Sequence, residues 1–154
     1  MGDSKNGRIG LYVVSVLAAG ILVSLFLALG PPQLLAKSET PLFCAGCHVM
    51  ESEFDAWSHT GAHRREMCVD CHLPNDNTVL HYTWKTIDGM KDTLAFYSGK
   101  VPDRITISEH GKEVVQRNCI RCHEATVTHI NQDRPCWDCH RRLSHRRSGA
   151  IMTL

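Results

Sequence analysis

The sequence predicts a mainly α-helical chain with irregular loops, in which one N-terminal transmembrane helix is followed by a small domain outside the membrane. Three observations predict it. No charged residue occurs from Ile9 to Ala36, eight cysteines recur in four short patterns between residues 44 and 140, and no stretch alternates apolar and polar residues as a half-buried strand does.

The first element is the apolar run. Ile9 to Gly30 is 22 residues dominated by Val, Leu, Ile and Ala, and about 20 such residues at a rise of about 1.5 Å cross a hydrocarbon core of about 30 Å. A cleaved secretory signal has a shorter apolar core of roughly 7–15 residues and ends in a small-residue site. Nothing after this run resembles such a site, so it reads as an uncleaved anchor. Lys5 and Arg8 precede it and stay in the cytoplasm by the positive-inside tendency. The expected organisation is therefore a cytoplasmic N-terminus at 1–8, an anchor at 9–30 and an outer, periplasmic domain at 31–154.

The cysteine patterns say what the domain holds. They are CAGCH at 44–48, CVDCH at 68–72, CIRCH at 119–123 and CWDCH at 136–140, and they use all eight cysteines. Two thiols at C-x-x-C spacing can add to the two vinyl groups of a haem, and the histidine that follows is placed to ligate its iron. Zinc ribbons and thioredoxin-like pairs use similar thiol spacings, but neither explains a histidine after every pair. Four covalent c-type haems are expected, on Cys44 and Cys47, Cys68 and Cys71, Cys119 and Cys122, and Cys136 and Cys139. The macrocycles would supply the core that a domain this small cannot build from its own side chains. The polypeptide has a formal charge of +1. Haem propionates make the holoprotein mildly negative, which excludes nucleic acid as a partner class. Arg141, Arg142, Arg146 and Arg147 can pair with propionates or phospholipid headgroups, or form a solvated basic tail.

Counted between motif histidines, the steps are 24, 51 and 17 residues, a pattern of two two-haem halves, about 40–78 and 108–147, with an insertion between them. The insertion holds the clearest helix outside the anchor, about 79–97, expected at the membrane interface. Its apolar positions Leu80, Trp84, Ile87, Met90 and Leu94 recur at spacings of three and four, and Gly99 and Pro102 end it. A second helix is expected between Ser108, its N-cap, and Cys119, with Lys112, Glu113 and Arg117 outward.

Four six-coordinate irons need eight axial ligands. His48, His72, His123 and His140 offer one each, and His59, His63, His81, His110, His129 and His145 lie outside the motifs. His63, five residues before Cys68, and His145, five after His140, are the distal candidates by position. Met50 follows His48 by two residues, so it either replaces His48 as the proximal ligand or packs beside it. Spacing alone favours His48.

The anchor, the four motifs in this order, CAGCHVM at the first, HTGAHRREMCVDCH at the second and CWDCHRRLSH at the end together resemble the NapC/NirT family of tetrahaem membrane quinol dehydrogenases. The short length is closest to its NrfH branch, the small subunits of cytochrome c nitrite reductase. That resemblance implies that Met50, not His48, ligates the first iron, that His72 and His145 hold the second, His123 and His63 the third, and that His140 holds the fourth, whose sixth ligand is a lysine from the catalytic partner. It also implies a menaquinol site over the first haem. Within Lys85-Thr-Ile-Asp-Gly-Met-Lys-Asp92 it carries over Lys85 and Asp92, with Asp88 as a competing carboxylate. His59, His81, His110 and His129 receive no role. The implied activity is menaquinol oxidation with electron transfer to a periplasmic nitrite reductase. The alternatives are a quinol dehydrogenase feeding nitrate reductase or another reductase, and an anchored relay without its own quinol site.

Overall fold

The structure is a computed structural model that describes residues 3–30, 33–60 and 63–143. Among the described residues there are helices and turns and no strand. The chain divides into two compact units, residues 1–43 and 44–154.

The first unit is built on α1, Asp3–Leu29. Its Gly7–Leu29 stretch is long and apolar enough to cross a membrane, and at about 1.5 Å per residue it spans about 35 Å. The helix starts earlier than the apolar run and takes Lys5 and Arg8 into its first turns. Its large side chains, Leu11, Leu17, Leu22 and Phe26 among them, are exposed along its whole length, as a helix requires whose solvent is hydrocarbon. Two short helices follow, α2 at Leu34–Lys37 and α3 at Pro41–Cys44.

The second unit carries α4 at Glu51–Thr60, α5 at Cys68–His72, α6 at Thr78–Tyr97, α7 at Glu109–Val127 and α8 at Cys136–Cys139. Short 3-10 turns lie at His48–Met50 and Arg141–Leu143. The interhaem insertion is helical over nearly the span its periodicity predicts. The Asn77 side chain starts it by accepting from the Val79 and Leu80 amides at 2.9 and 3.1 Å, which satisfies two of the amides a helix start leaves without partners. Gly99 ends it at φ 65°, and the Lys100 amide bonds back to the Ala95 carbonyl at 2.9 Å. Only glycine takes that left-handed conformation without a Cβ penalty.

The helix expected before Cys119 also forms, with Ser108 accepting from the Gly111 amide at 3.1 Å. It does not stop at the third motif. α7 runs through Cys119 and Cys122 to Val127, with a backbone break at His123, φ −110° and ψ 17°.

Side chains of the described residues build a thin core. Ala56, Val69, Leu73 and Val114 are the buried apolar residues, and His81 and Asn118 the buried polar ones. α5 packs on α7 through this small set, and polar clamps do the rest.

Candidate haem-binding and quinol site

Three of the four motifs sit on a helical turn. The second is α5 itself, with Asp70 accepting from the Met67 amide at 2.7 Å to cap the turn. The third lies inside α7. In the fourth, α8 carries both thiols and His140 closes the turn, its amide bonded to the Cys136 carbonyl at 2.9 Å. At the first motif the chain leaves the helix after Cys44, Cys47 is extended, and His48 opens a separate 3-10 turn that ends at Met50. C-x-x-C-H spacing suits a helical turn, and the chain forms one at three of the four motifs. At the first, His48 is not held relative to its two thiols as its counterparts are, and its ring packs on Phe96 of α6 with centroids 5.4 Å apart.

The motifs adjoin in chain order. The Cys44 and Cys68 thiols are hydrogen-bonded, Cys71 lies within electrostatic reach of Cys122, and the Cys119 thiol is hydrogen-bonded to that of Cys136. The bond to Cys68 draws Cys44 down to about 7, against its burial, and the Lys85 ammonium adds to the effect. Cys68 is pushed the other way by the same bond and by burial, and burial raises Cys71 and takes Cys119 up to about 11.

Amide side chains that no periodicity singled out fix this arrangement. Asn118, one residue before Cys119, donates to the Cys71 and Leu73 carbonyls at 3.0 and 2.8 Å and so ties the third motif to the second. Asn75 closes the end of α5 by donating to the Val69, Asp70 and Leu73 carbonyls. Gln116 accepts from the Cys136 amide at 3.0 Å and donates to the Gln132 and Arg134 carbonyls, which ties the fourth motif to α7. Replacing Asn118 with alanine is expected to cost about 1–3 kcal/mol, because the Cys71 carbonyl loses its Asn118 donor and the Leu73 carbonyl keeps only Asn75. Denaturant unfolding of the holoprotein, followed by haem absorbance, checks this.

His63 is half-buried, and its backbone carbonyl accepts from Trp57 Nε1 at 3.2 Å. Its ring faces that of His123 edge-on with centroids 5.9 Å apart. One iron between two imidazoles needs about 6 Å, from two metal–nitrogen bonds of about 2 Å and two nitrogen-to-centroid distances of about 1 Å. His145 lies outside the described residues, as do Arg146 and Arg147. Of the histidines without an expected role, His59 Nδ1 lies 2.9 Å from the Asp55 carbonyl and His81 Nδ1 lies 3.1 Å from that of Pro74. His129 is exposed. His110 stacks on Trp84, centroids 3.6 Å apart at 25°, and its Nε2 is buried with no hydrogen-bond partner.

On α6, Lys85 and Asp92 are seven residues apart, about 10.5 Å along one helical face. Lys85 is half-buried, its ammonium over the Tyr82 ring at 5.7 Å and close enough to Cys44 for its charge to be felt there. Asp88 pairs with Lys91 at 3.7 Å. Asp92 is exposed, yet partial desolvation by the surrounding chain raises its carboxyl above the usual value, with the Lys91 charge opposing and Asp88 adding.

These residues suit covalent haem. The thiols come in pairs with a histidine beside each, the protein core is too thin to organise four motifs by itself, and a buried imidazole nitrogen lacks the partner that a cofactor atom supplies. A helical chain with an apolar helix of membrane-spanning length and such motifs is a membrane-anchored c-type cytochrome. Residues 7–142 match the NapC/NirT cytochrome c family, N-terminal region, and the chain belongs to that family, whose members carry covalently bound haem. It is 34% identical to the cytochrome c-type protein NrfH of Wolinella succinogenes, over 94% of this chain and 89% of that one. It is also 34% identical to the cytochrome c nitrite reductase subunit NrfH of Nitratidesulfovibrio vulgaris, over 72% and 70%. A crystal structure of a cytochrome c nitrite reductase NrfHA complex bound to the HQNO inhibitor superposes with a TM-score of 0.72 at 28% identity, covering 91% of this chain and 94% of that one.

Proposed function

We propose that this protein is a tetrahaem menaquinol dehydrogenase that feeds a periplasmic cytochrome c nitrite reductase from the outer face of the cytoplasmic membrane. The likeness to NrfH supports the partner. The observation that carries the quinol site is the half-buried Lys85, its ammonium over the Tyr82 ring and within electrostatic reach of Cys44, with Asp92 on the same face of α6. Haem, bound through each cysteine pair, supplies one-electron acceptors, and the order in which the motifs adjoin suits a linear series.

Oxidising menaquinol removes two electrons and two protons. Lys85 donates a hydrogen bond to one quinol oxygen and fixes the ring against the first motif. Asp92, a stronger base than an ordinary aspartate because desolvation disfavours its charge, accepts a proton and passes it to water through its exposed edge. It can then accept the second. Asp88 is engaged by Lys91 at 3.7 Å. In this reading Met50 is the first iron's proximal ligand, which the departure of the first motif from the helical turn favours. His72 with His145, and His123 with His63, serve the second and third irons. His140 serves the fourth, with a lysine of the reductase completing it.

The test is anaerobic reduction by a menaquinol analogue of the purified chain in detergent. Reduction of several haems is expected, together with loss of that reduction in Lys85→Met. Dithionite-reducible haem that quinol leaves oxidised in the wild-type chain would favour a relay without its own quinol site. A separate outcome is expected at the first haem. Met50→His should lower the potential of one haem, because a thioether ligand raises it relative to imidazole, whereas His48→Ala should leave the four potentials in place. Redox titration distinguishes the two.

A further inference from the structure

α7 carries the thiols of the third motif on one side only. At about 100° per residue, Cys119 and Cys122 lie about 60° apart around the helix, and His110, Arg117 and Arg121 fall within about 40° of arc on the far side. The haem tethered to α7 therefore lies away from this row, which meets other parts of the unit. His110 stacks on Trp84 of α6 with centroids 3.6 Å apart, which fixes its ring, and its Nε2 is buried with no hydrogen-bond partner. Arg117 and Arg121, one turn apart, line a cleft of about 330 Å³ together with Val114 of the same helix and Pro74 of the chain after the second motif. Arg121 is steered by Asn118, whose Oδ1 accepts from Nε at 3.4 Å while its amide donates to the Cys71 and Leu73 carbonyls. Among the described residues no carboxylate is ion-paired with either guanidinium, although Asp76 and Glu124 also line the cleft.

We propose that this row receives the carboxylates of haem tethered to other motifs and raises the potential of the haem so held. His110 would donate from Nε2, and the arginines through charge-assisted hydrogen bonds. A buried N–H left without a partner costs about 1–3 kcal/mol, so a group from outside the chain completes His110. Guanidiniums donate and never accept, so the neighbours of His110 along the row select an anion rather than an iron. Each haem brings two carboxylates at the edge of an apolar macrocycle, and the cleft pairs guanidiniums with the apolar surface of Val114 and Pro74 in the same way. Hydrogen bonds and positive charge at a carboxylate offset its negative charge, and less negative charge near the iron favours the ferrous state. Covalent haem is all that this seating requires, so it stands or falls apart from the quinol site.

The test is a redox titration of the full holoprotein in detergent, followed by absorbance and electron paramagnetic resonance. His110→Phe keeps a ring on Trp84 and removes the donor, and Arg121→Met keeps an apolar stem and removes the charge. Each should lower the midpoint potential of one haem by about 59 mV, a tenfold change in its one-electron equilibrium constant, at unchanged haem content and spin state. His110→Gln, which can place an N–H near the position of Nε2, should recover most of the loss. Isotope labelling of the haem carboxylates through aminolevulinate identifies the bond itself, since their bands in the redox-difference infrared spectrum should shift in His110→Phe. Four unchanged midpoints and unshifted bands in both variants would overturn the proposal and leave the row to solvent. A ferric haem driven to high spin in His110→Phe would overturn it too, by making His110 an iron ligand.

Discussion

Replacing Asp92 with asparagine is expected to slow menaquinol-driven haem reduction by roughly 10²–10⁴-fold, the range a positioned general base contributes, with all four haems attached and fully reducible by dithionite. The pH profile identifies the cause. Asp92 must be ionised to accept a proton, so the rate falls as pH drops through its pKa, and that limb lies above the ordinary aspartate range because desolvation raises the group. In Asp92→Asn the limb disappears. In Asp88→Asn the rate at neutral pH is nearly retained, while the limb moves to lower pH: the like charge that raises Asp92 is gone, and Lys91, released from its 3.7 Å pair, lowers it further. The fold favours the neutral acid, so the stability this group contributes is present below the ordinary carboxylate pKa and lost as pH rises through the raised one. At neutral pH Asp92→Asn therefore has none of it to lose, and its melting temperature should not fall. A rate defect accompanied by unfolding, or an equal defect in Asp88→Asn, would remove Asp92 from the site.

The parts legible in the sequence were those that local chemistry decides. The uncharged run is long and apolar enough for a spanning helix, the repeated cysteine pattern points to covalent haem, and Ser108 and Gly99 mark helix ends because their side chains or backbone freedom suit those positions. What periodicity could not say was which way α6 turns. Leu80, Ile87, Met90 and Leu94 would be the buried face of an ordinary soluble helix, but here the side with His81, Lys85 and Phe96 meets the motif segments, since the domain's apolar interior is to come from cofactor. Asn118 and Gln116 were equally hidden. An amide one or three residues before Cys119 carries no pattern, and its partners, the carbonyls around Cys71 and the Cys136 amide, are brought to it only by folding. α7 overran its expected end at Cys119 because nothing in CIRCH breaks a helix until the backbone turns at His123.

His63 is where position in the sequence and geometry converge most closely, and its replacement by alanine is expected to change one haem of the four. With His63 and His123 on one iron, removing the first leaves that iron five-coordinate, so about a quarter of the ferric haem should move from low to high spin, with covalent attachment unaffected. His59→Ala is the matched control. It lies four residues away, its Nδ1 lies 2.9 Å from the Asp55 carbonyl, and its replacement should leave the spin states of the haems as they are in the wild-type chain. Added imidazole should restore the low-spin spectrum of His63→Ala without restoring the loop, since the Trp57 bond that holds residue 63 runs to its backbone carbonyl and survives the substitution. That rescue separates a ligand from a packing residue: a ring that merely supported His123 edge-on would leave, on removal, a disturbed site that free imidazole could not repair. An unchanged low-spin spectrum in His63→Ala would show that the 5.9 Å approach to His123 is packing, and would return the third iron's second ligand to the remaining histidines, of which His110, with its buried and unpartnered Nε2, is the next to test.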